Sequence, residues 1–467
     1  MYCYRTMSIV HDVTGADEVG AAAIAGAVDD RSARGIAAAI GRLVTDGSLP
    51  IGSRLPTVRD LARRLGVSPT TVSEAWQTLA AVGAIDARGR QGTFVRQPTG
   101  PVTARRYRRV TEGPGHFALD LSTGTPDPAL LPDLGPLLAA VGRRSLTDNY
   151  LDHPVLPALE ERLRADWPFP PEAITIVDGA MDALDRIARA VVRLGDRVVV
   201  EHPSFPPLLD LLDLLGAEVV GVDVDDEGLQ PAGLSDALDA GGVCAVMLQP
   251  RAQNPAGVAL TRRRGTALAA VLRRHPRVVV VEDDHSGDIA AAPLVSLGTW
   301  LPQRTVHIRS YSKSHNPDLR LAAVGGAGSV VDAVVDRRLL GPGWSSRLLQ
   351  AVLLEMLDHP PTVAAVAHAR DEYARRRQAV ADALRARGVT VTGTDGINLW
   401  MEVVDERSAL LTLAAQGIGA APGEPFMVRP DTPHLRVTVG LVDHDLDDLA
   451  RRLADAAGAN PARAGQR

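Results

Sequence analysis

The 467-residue sequence predicts a multidomain fold: a small N-terminal helix-turn-helix module, a large α/β unit built on a mostly parallel sheet, and a smaller C-terminal α/β domain. Three observations lead there. Charge splits near residue 110: residues 31–110 hold 14 arginines against four carboxylates, a net +10, which leaves −16 for the rest of a chain of net charge −6. Apolar residues at helical spacing, bounded by small polar caps and glycines, fill the basic part. Beyond it, short β-branched runs alternate with helical stretches, as strands joined by crossover helices and covered on both faces do.

In the basic part, DRSARGIAAAIGRLVTDG carries Ile36, Ile40, Leu43 and Val44 on one helical face and ends at Gly47. TVRDLARRL turns Leu61 and Leu65 inward and stops at Gly66. A third helix opens at Ser68, a good N-cap, with Pro69 in its first turn and Val72, Trp76 and Leu79 on one face. Two helices joined by a glycine-containing turn, the second opening on hydroxyl residues, make a helix-turn-helix. AIDARGRQGTF then reads as two short strands around a glycine turn, a wing with Arg88 and Arg90 at its tip. A basic module on an acidic body points to a polyanionic partner.

Residues 1–29 are expected to be a poorly ordered extension, 30–97 the winged module, 98–118 a Pro/Gly/Thr/Arg-rich linker, and 119–467 the α/β part, its smaller domain at about 360–460. Strands are expected at AITIV, RVVVEHP, EVVGVDV, VCAVMLQP, RVVVVEDD and TVHIRSYS, and in the smaller domain at VTVTG, INLWMEVV and HLRVTVG. Ligand sites in such sheets lie beyond the carboxyl ends of the strands. A composition of 45% hydrophobic and 23% charged residues excludes a disordered chain. Cys3 and Cys244 cannot form a disulfide framework and fit a reducing cytoplasm. No apolar run reaches 18 residues, so no membrane partner is expected.

Of the 50 basic residues only one, Lys313, is lysine. An amine can lose its proton in a desolvated site and act as a nucleophile, which arginine cannot. Lys313 follows a strand, as do Asp178-Gly179-Ala180, Asn254 with Gly257, and Asp283-Asp284. Any one of these polar residues reads as a turn or cap residue; their order together with the unique lysine says more.

LPIGSRLPTVRDLARRLGVSPTTVSEAWQTLAAVGAIDARGRQGTFV resembles the DNA-binding domain of the GntR family of bacterial regulators. The resemblance implies double-stranded operator DNA as partner. It implies phosphate or base-edge contacts from Arg54, Arg59, Ser68, Thr70, Thr71 and Arg90, with Gly92 letting the wing backbone approach the minor groove. Ordinary roles stay open: Thr71 as part of the cap, Arg59 as a solvated helix residue.

The strand-end set, with SYSKSHNPDLR as its most specific piece, resembles aminotransferases of the α/β fold that binds pyridoxal 5′-phosphate (fold type I). Joined to a GntR domain it resembles the MocR subfamily of regulators. That resemblance makes Lys313 the residue whose amine condenses with the cofactor aldehyde. It implies phosphate contacts from Ser310, Arg320, Gly179 and Ala180, and Tyr150 reaching the phosphate from a partner subunit of a homodimer. Asp283 would pair with the pyridine nitrogen, Asn254 with the ring hydroxyl, and Phe205 would stack on the ring. Arg436 and Asn398 would bind the carboxylate of an amino-acid or amine effector. No metal is implied.

Departures from the family pattern bear on activity. His285 stands where a tyrosine is usual, able to donate to the ring oxygen but expected to titrate near neutrality. Asp178 puts a negative charge beside the phosphate site, and Val155 replaces a usual glycine. The expected function is a DNA-binding transcriptional regulator whose cofactor domain senses an amino compound or the cofactor itself. A catalytically active aminotransferase with an attached DNA-binding domain, and a cofactor-free dimerisation body, remain as alternatives.

Overall fold

The computed structural model describes residues 21–45, 48–50, 52–81, 85–87, 89, 92–95, 105–111, 117–142 and 153–458. The chain divides into two compact units, the first of residues 1–103 with the short segments 193–196 and 213–218, the second of the remainder. None of the described helices is long and apolar enough to cross a membrane.

In the first unit, α1 (Ala33–Thr45), α2 (Val58–Leu65) and α3 (Pro69–Ala81) pack around Ile36, Ile40, Leu61, Leu65, Val72, Trp76 and Leu79, the apolar faces that the spacing predicts. Thr57 caps α2 by accepting from the Asp60 amide at 3.2 Å, and Gly66 ends it in the left-handed region at φ 67°. Ser68 caps α3, its Oγ accepting from the Thr71 amide at 3.1 Å. The strands β1 (Arg54–Leu55), β2 (Ile85–Ala87) and β3 (Thr93–Val95) form an antiparallel sheet in the order β1-β3-β2, which is the wing plus one strand from before α2. Order begins earlier than expected: residues 21–27 are helical and Ile24 is fully buried in the same core. That correction concerns 21–29 only, since residues 1–20 lie outside the described set.

The segment expected as linker also differs. Arg105–Thr111 forms a helix, α4, that packs within the large unit. Its Arg106 and Tyr107 amides donate to the Asp210 carboxylate at 3.0–3.1 Å, and Arg109 pairs with Glu424 at 2.6 Å. Val110 is buried against Trp400, Ala421 and Phe426. A polar sequence with one apolar residue carries no helical period, so only the tertiary contacts reveal this element.

The large unit holds an eight-stranded sheet. Its strands are β5 (Ala173–Val177), β6 (Arg197–His202), β7 (Glu218–Asp225), β8 (Gly228–Leu229), β9 (Val243–Leu248), β10 (Val279–Asp284), β11 (Thr305–Ser310) and β12 (Ala322–Gly326), in the order β5-β12-β11-β10-β9-β6-β7-β8. The central β6, β9, β10 and β11 run parallel, and β12 is antiparallel to both neighbours. Their near-continuous Val, Ile and Leu side chains are buried on both faces. A four-stranded antiparallel sheet of the smaller domain pairs β13 (Val391–Thr392), β14 (Leu399–Glu402) and β17 (His434–Val437) with β16 (Ala421–Pro422); two further short strands, β4 (Leu119–Asp120) and β15 (Ile418–Gly419), pair parallel.

Candidate cofactor and effector site

Because β6, β9, β10 and β11 are parallel, their carboxyl ends bring Ser204-Phe205, Gln249–Asn254, Asp283–His285 and Ser310–Lys313 to one edge of the sheet. Strand alternation separates the two aspartates that end β10. Asp284 is sealed by Arg251, whose Nε and second guanidinium nitrogen reach its two oxygens at 3.0 and 2.7 Å. Asp283 turns the other way, into a cavity lined by Leu184, Glu201, Phe205, Gln249 and Val281. Its Oδ2 accepts from Gln249 Nε2 at 2.8 Å, while Oδ1 is buried with no partner. Burial raises the Asp283 pKa to about 6. An orphaned buried carboxylate oxygen fits a ring N–H.

Lys313 Nζ lies 3.1 Å from His285 Nδ1. Burial lowers its pKa to about 8, against the opposing pull of Asp283, and Arg436 lowers it further. The expectation for His285 needs correcting. Burial, with the Lys313 charge adding to it, drives its pKa down to about 3, so it stays neutral where a solvated histidine would titrate. Its Nε2–H donates to the Ala252 carbonyl at 2.8 Å, which leaves Nδ1 as an acceptor facing the lysine. In this tautomer His285 holds Lys313 and has no N–H to offer a ring oxygen.

Gly179 and Ala180 open helix α5 (Ala180–Val191) directly after β5, with Gly179 at φ 97°. A Cβ there would sit 3.0 Å from the Arg320 guanidinium, so only glycine lets this cradle and the arginine meet. Arg320, itself left-handed at φ 49°, is exposed toward that helix start, and Ser310 is buried at the end of β11. Asp178 does not confront a phosphate with free charge: its carboxylate takes Arg338 at 3.2 Å and the Ser345 hydroxyl at 2.6 Å. Tyr150 lies outside the described residues. Lysine, free carboxylate oxygen, helix start and arginine together fit a phosphorylated pyridine aldehyde.

Arg436, on β17, is 3% exposed, and no carboxylate among the described residues pairs with it. Its guanidinium touches the Ser122 carbonyl, reaches Asn254 Oδ1 at 3.4 Å and stacks over Phe426 at 5.2 Å, while Nε has no partner. Burial lowers its pKa to about 10. A buried cation without a counter-ion is costly, and an entering carboxylate relieves that cost. Asn398 comes just before β14, and its Oδ1 accepts from Thr438 Oγ1 at 3.0 Å. It braces the strand beside Arg436.

In the winged module Arg59 and Thr70 are exposed. The Thr71 hydroxyl bonds Ser68 Oγ at 2.8 Å and so reinforces the cap. Gly92, at φ 105°, has the Arg54 guanidinium where a Cβ would stand, which gives it a reason within the fold itself. Arg90 lies outside the described residues. Sequence reasoning missed Gln249, Glu201, Arg251 and the Arg338–Ser345 pair, all of which act through partners far away in the chain. Gln249 and Arg251 both lie in QPRAQNPAG, the stretch that carries Asn254 and Gly257.

Comparison with known proteins agrees with this geometry. Residues 118–453 match the family model for aminotransferase class I and II, and residues 32–95 that for bacterial regulatory proteins of the gntR family. The vitamin B6 salvage pathway transcriptional repressor PtsJ of Salmonella typhimurium is 36% identical over 437 residues, covering 92% of this chain and 99% of its own. The HTH-type transcriptional regulator TauR of Rhodobacter capsulatus is 30% identical, over 82% and 88%. Among solved structures, the kynurenine aminotransferase of Pyrococcus horikoshii superposes with a TM-score of 0.68 at 23% identity, over 76% of this chain and 93% of its own, a likeness of fold. The chain therefore belongs to the aminotransferase class I and II family and, with its gntR-family module in front, to the MocR-type regulators that join the two.

Proposed function

We propose that the protein is a transcriptional regulator that binds operator DNA as a homodimer in the cytoplasm, holds pyridoxal 5′-phosphate on Lys313, and senses an amino compound or the cofactor itself. One observation carries the reading: a desolvated lysine and an unpartnered Asp283 oxygen stand together at the sheet edge, with a buried, unpaired Arg436 beside them. Bound there, the cofactor supplies an aldehyde that condenses with amines and a ring that draws electron density. Lys313 supplies the amine and neutral His285 accepts its hydrogen bond. Gly179, Ala180, Ser310 and Arg320 hold the phosphate, Asn254 the ring hydroxyl, Phe205 the ring face, and Arg436 an effector carboxylate through its planar fork. The name of the Salmonella relative, a repressor of vitamin B6 salvage, supports the cofactor as one signal.

Within the large unit, a chain of contacts leads from the effector arginine to α4. Arg436 stacks on Phe426, Phe426 packs on Val110, and Val110 belongs to α4, which follows the winged module in the chain. Coupling of roughly 1–3 kcal/mol suffices for a response of about 5–150-fold. Val110→Asp puts an unpaired carboxylate into this apolar cluster. The expected outcome is effector affinity within about twofold of wild type with the DNA response reduced to near unity, read by titrating DNA with and without effector. An unchanged response would assign the coupling to another route.

The shift at Lys313 gives a pH dependence. A pKa of about 8 leaves roughly one amine in ten neutral at pH 7, against about one in 2,500 for an unperturbed lysine near 10.4. Capture of the cofactor is expected to accelerate as pH rises through about 8 and to level off above it, followed by stopped-flow absorbance. A rate still climbing tenfold per pH unit at pH 9.5 would mean that the amine is not desolvated.

The reading as a whole is tested by titrating the cofactor-loaded protein with candidate amino acids while following visible absorbance and operator binding together. A spectral change accompanied by a change in DNA affinity supports the sensor. Repeated turnover of an amino donor with a keto acid, and DNA affinity unmoved, would favour a working aminotransferase.

A further inference from the structure

Gln249 directly follows β9 and is 7% exposed, a neutral side chain that a strand-end bend would not by itself require to be buried. Its backbone N–H and both ends of its side-chain amide are committed. Its backbone N–H donates to Glu201 Oε2 at 3.0 Å, its Nε2 donates to Asp283 Oδ2 at 2.8 Å, and its Oε1 accepts from the Asn254 backbone N–H at 2.8 Å. Gln249 thus ties the end of β9 to Glu201 on β6 through its backbone, and to Asp283 on β10 and the start of the Asn254 turn through its side-chain amide. The cavity lined by Gln249, Glu201, Asp283 and Phe205 lies among these groups.

The geometry points to Gln249 as the positioning residue of the ring site: it fixes Asp283 with only Oδ1 left to receive the ring N–H, tempers that carboxylate as a base, and sets Asn254 in register with it. This rests on the reading that the site holds pyridoxal 5′-phosphate. The physical argument is one of hydrogen-bond capacity. A carboxylate that already accepts a strong donor at one oxygen offers less electron density at the other, so the ring nitrogen meets a weaker base than a bare aspartate would be. A weaker base would leave the proton on the ring nitrogen, which keeps the ring drawing electron density. The same amide, through Oε1, keeps the Asn254 side chain at a fixed distance from Asp283, so the two ends of the ring are gripped as a unit.

The charged and titratable groups that act on Asp283 are Lys313 and, through the strand and its neighbours, Asp284 of β10, His307 of β11 and Glu201 of β6. Burial pushes the Glu201 carboxyl up to about 8, so it is neutral at pH 7 and adds no charge beside Asp283 there.

The test uses the full chain reconstituted with pyridoxal 5′-phosphate, comparing wild type, Gln249→Leu and Gln249→Glu by cofactor dissociation constant, by the pH midpoint of the visible band, and by mass spectrometry of the reduced protein. In Gln249→Leu the cofactor is expected on Lys313 at saturation, with retention at least tenfold weaker and the midpoint of the band displaced by half a pH unit or more. Gln249→Glu can donate to Asp283 only while protonated. Its retention is therefore expected within about threefold of wild type at pH 5.5 and at least tenfold weaker at pH 8.5, a profile that wild type lacks. Wild-type retention and an unmoved midpoint in Gln249→Leu would overturn the assignment while leaving the cofactor reading intact. Wild type that takes up no cofactor on Lys313 would overturn both. Should Gln249→Leu fail to fold, the pH profile of Gln249→Glu decides alone, a flat profile counting against the assignment.

Discussion

Lys313→Ala abolishes covalent retention of pyridoxal 5′-phosphate and, with it, the response of DNA binding to effector. The effect is large because no other side chain in the sequence can substitute: every other basic residue among the 50 is an arginine, whose guanidinium stays protonated at any physiological pH. The roughly 5–150-fold effector-dependent change in operator affinity is expected to collapse to unity, while affinity without effector stays within about twofold, because the winged module does not use this residue. Lys313→Arg is the sharper companion. It retains a positive charge in the one position where the chain departs from arginine, and it is expected to fail as completely as alanine. A Lys313→Arg protein that still responded to effector would show that charge, not amine chemistry, matters there.

The second large effect belongs to Arg436. Arg436→Leu removes the buried fork that an effector carboxylate would enter, and truncating one partner of a buried charge pair costs about 2–5 kcal/mol, roughly thirtyfold or more in effector affinity. The cofactor link to Lys313 is expected to survive, since the hydrogen bond of Arg436 to the cofactor groups is to Asn254 Oδ1 at 3.4 Å and its effect on Lys313 is through charge alone. Arg436→Lys keeps the charge and loses the planar pair of donors, so an intermediate loss is expected. Equilibrium titration of the absorbance change separates these cases. An Arg436→Leu protein that bound amino acids as wild type does, yet still discriminated against the corresponding amines, would move the carboxylate site elsewhere.

Much of this site is legible from local pattern. The strand ends follow from short Val- and Ile-rich runs, and period-two alternation alone assigns Asp283 and Asp284 to opposite sides, as their separate partners Gln249 and Arg251 bear out. Lys313 stands out by composition. What escapes is carried by long-range contact. Gln249 looks like a turn residue until Asp283, 34 positions on, is seen to accept from it. Asp178 reads as an unscreened charge until Arg338 and Ser345 arrive from more than 150 residues away. His285 carries a neutral-pH expectation that only its burial beside Lys313 reverses. The strand β12, AAVGG, has a single branched residue, Val324, and holds its place by pairing with β5 and β11 on both sides. Likewise α4 has few apolar residues and residues 21–27 are mostly alanine with one large apolar side chain, and their order rests on where Val110 and Ile24 are buried.

The most direct measurement is peptide mapping by mass spectrometry after borohydride reduction of the protein loaded with pyridoxal 5′-phosphate. A single added cofactor mass on the peptide containing Lys313, absent from Lys313→Ala, is the predicted result. Reduced protein that carries no adduct, or carries it at the amino terminus alone, would contradict the account.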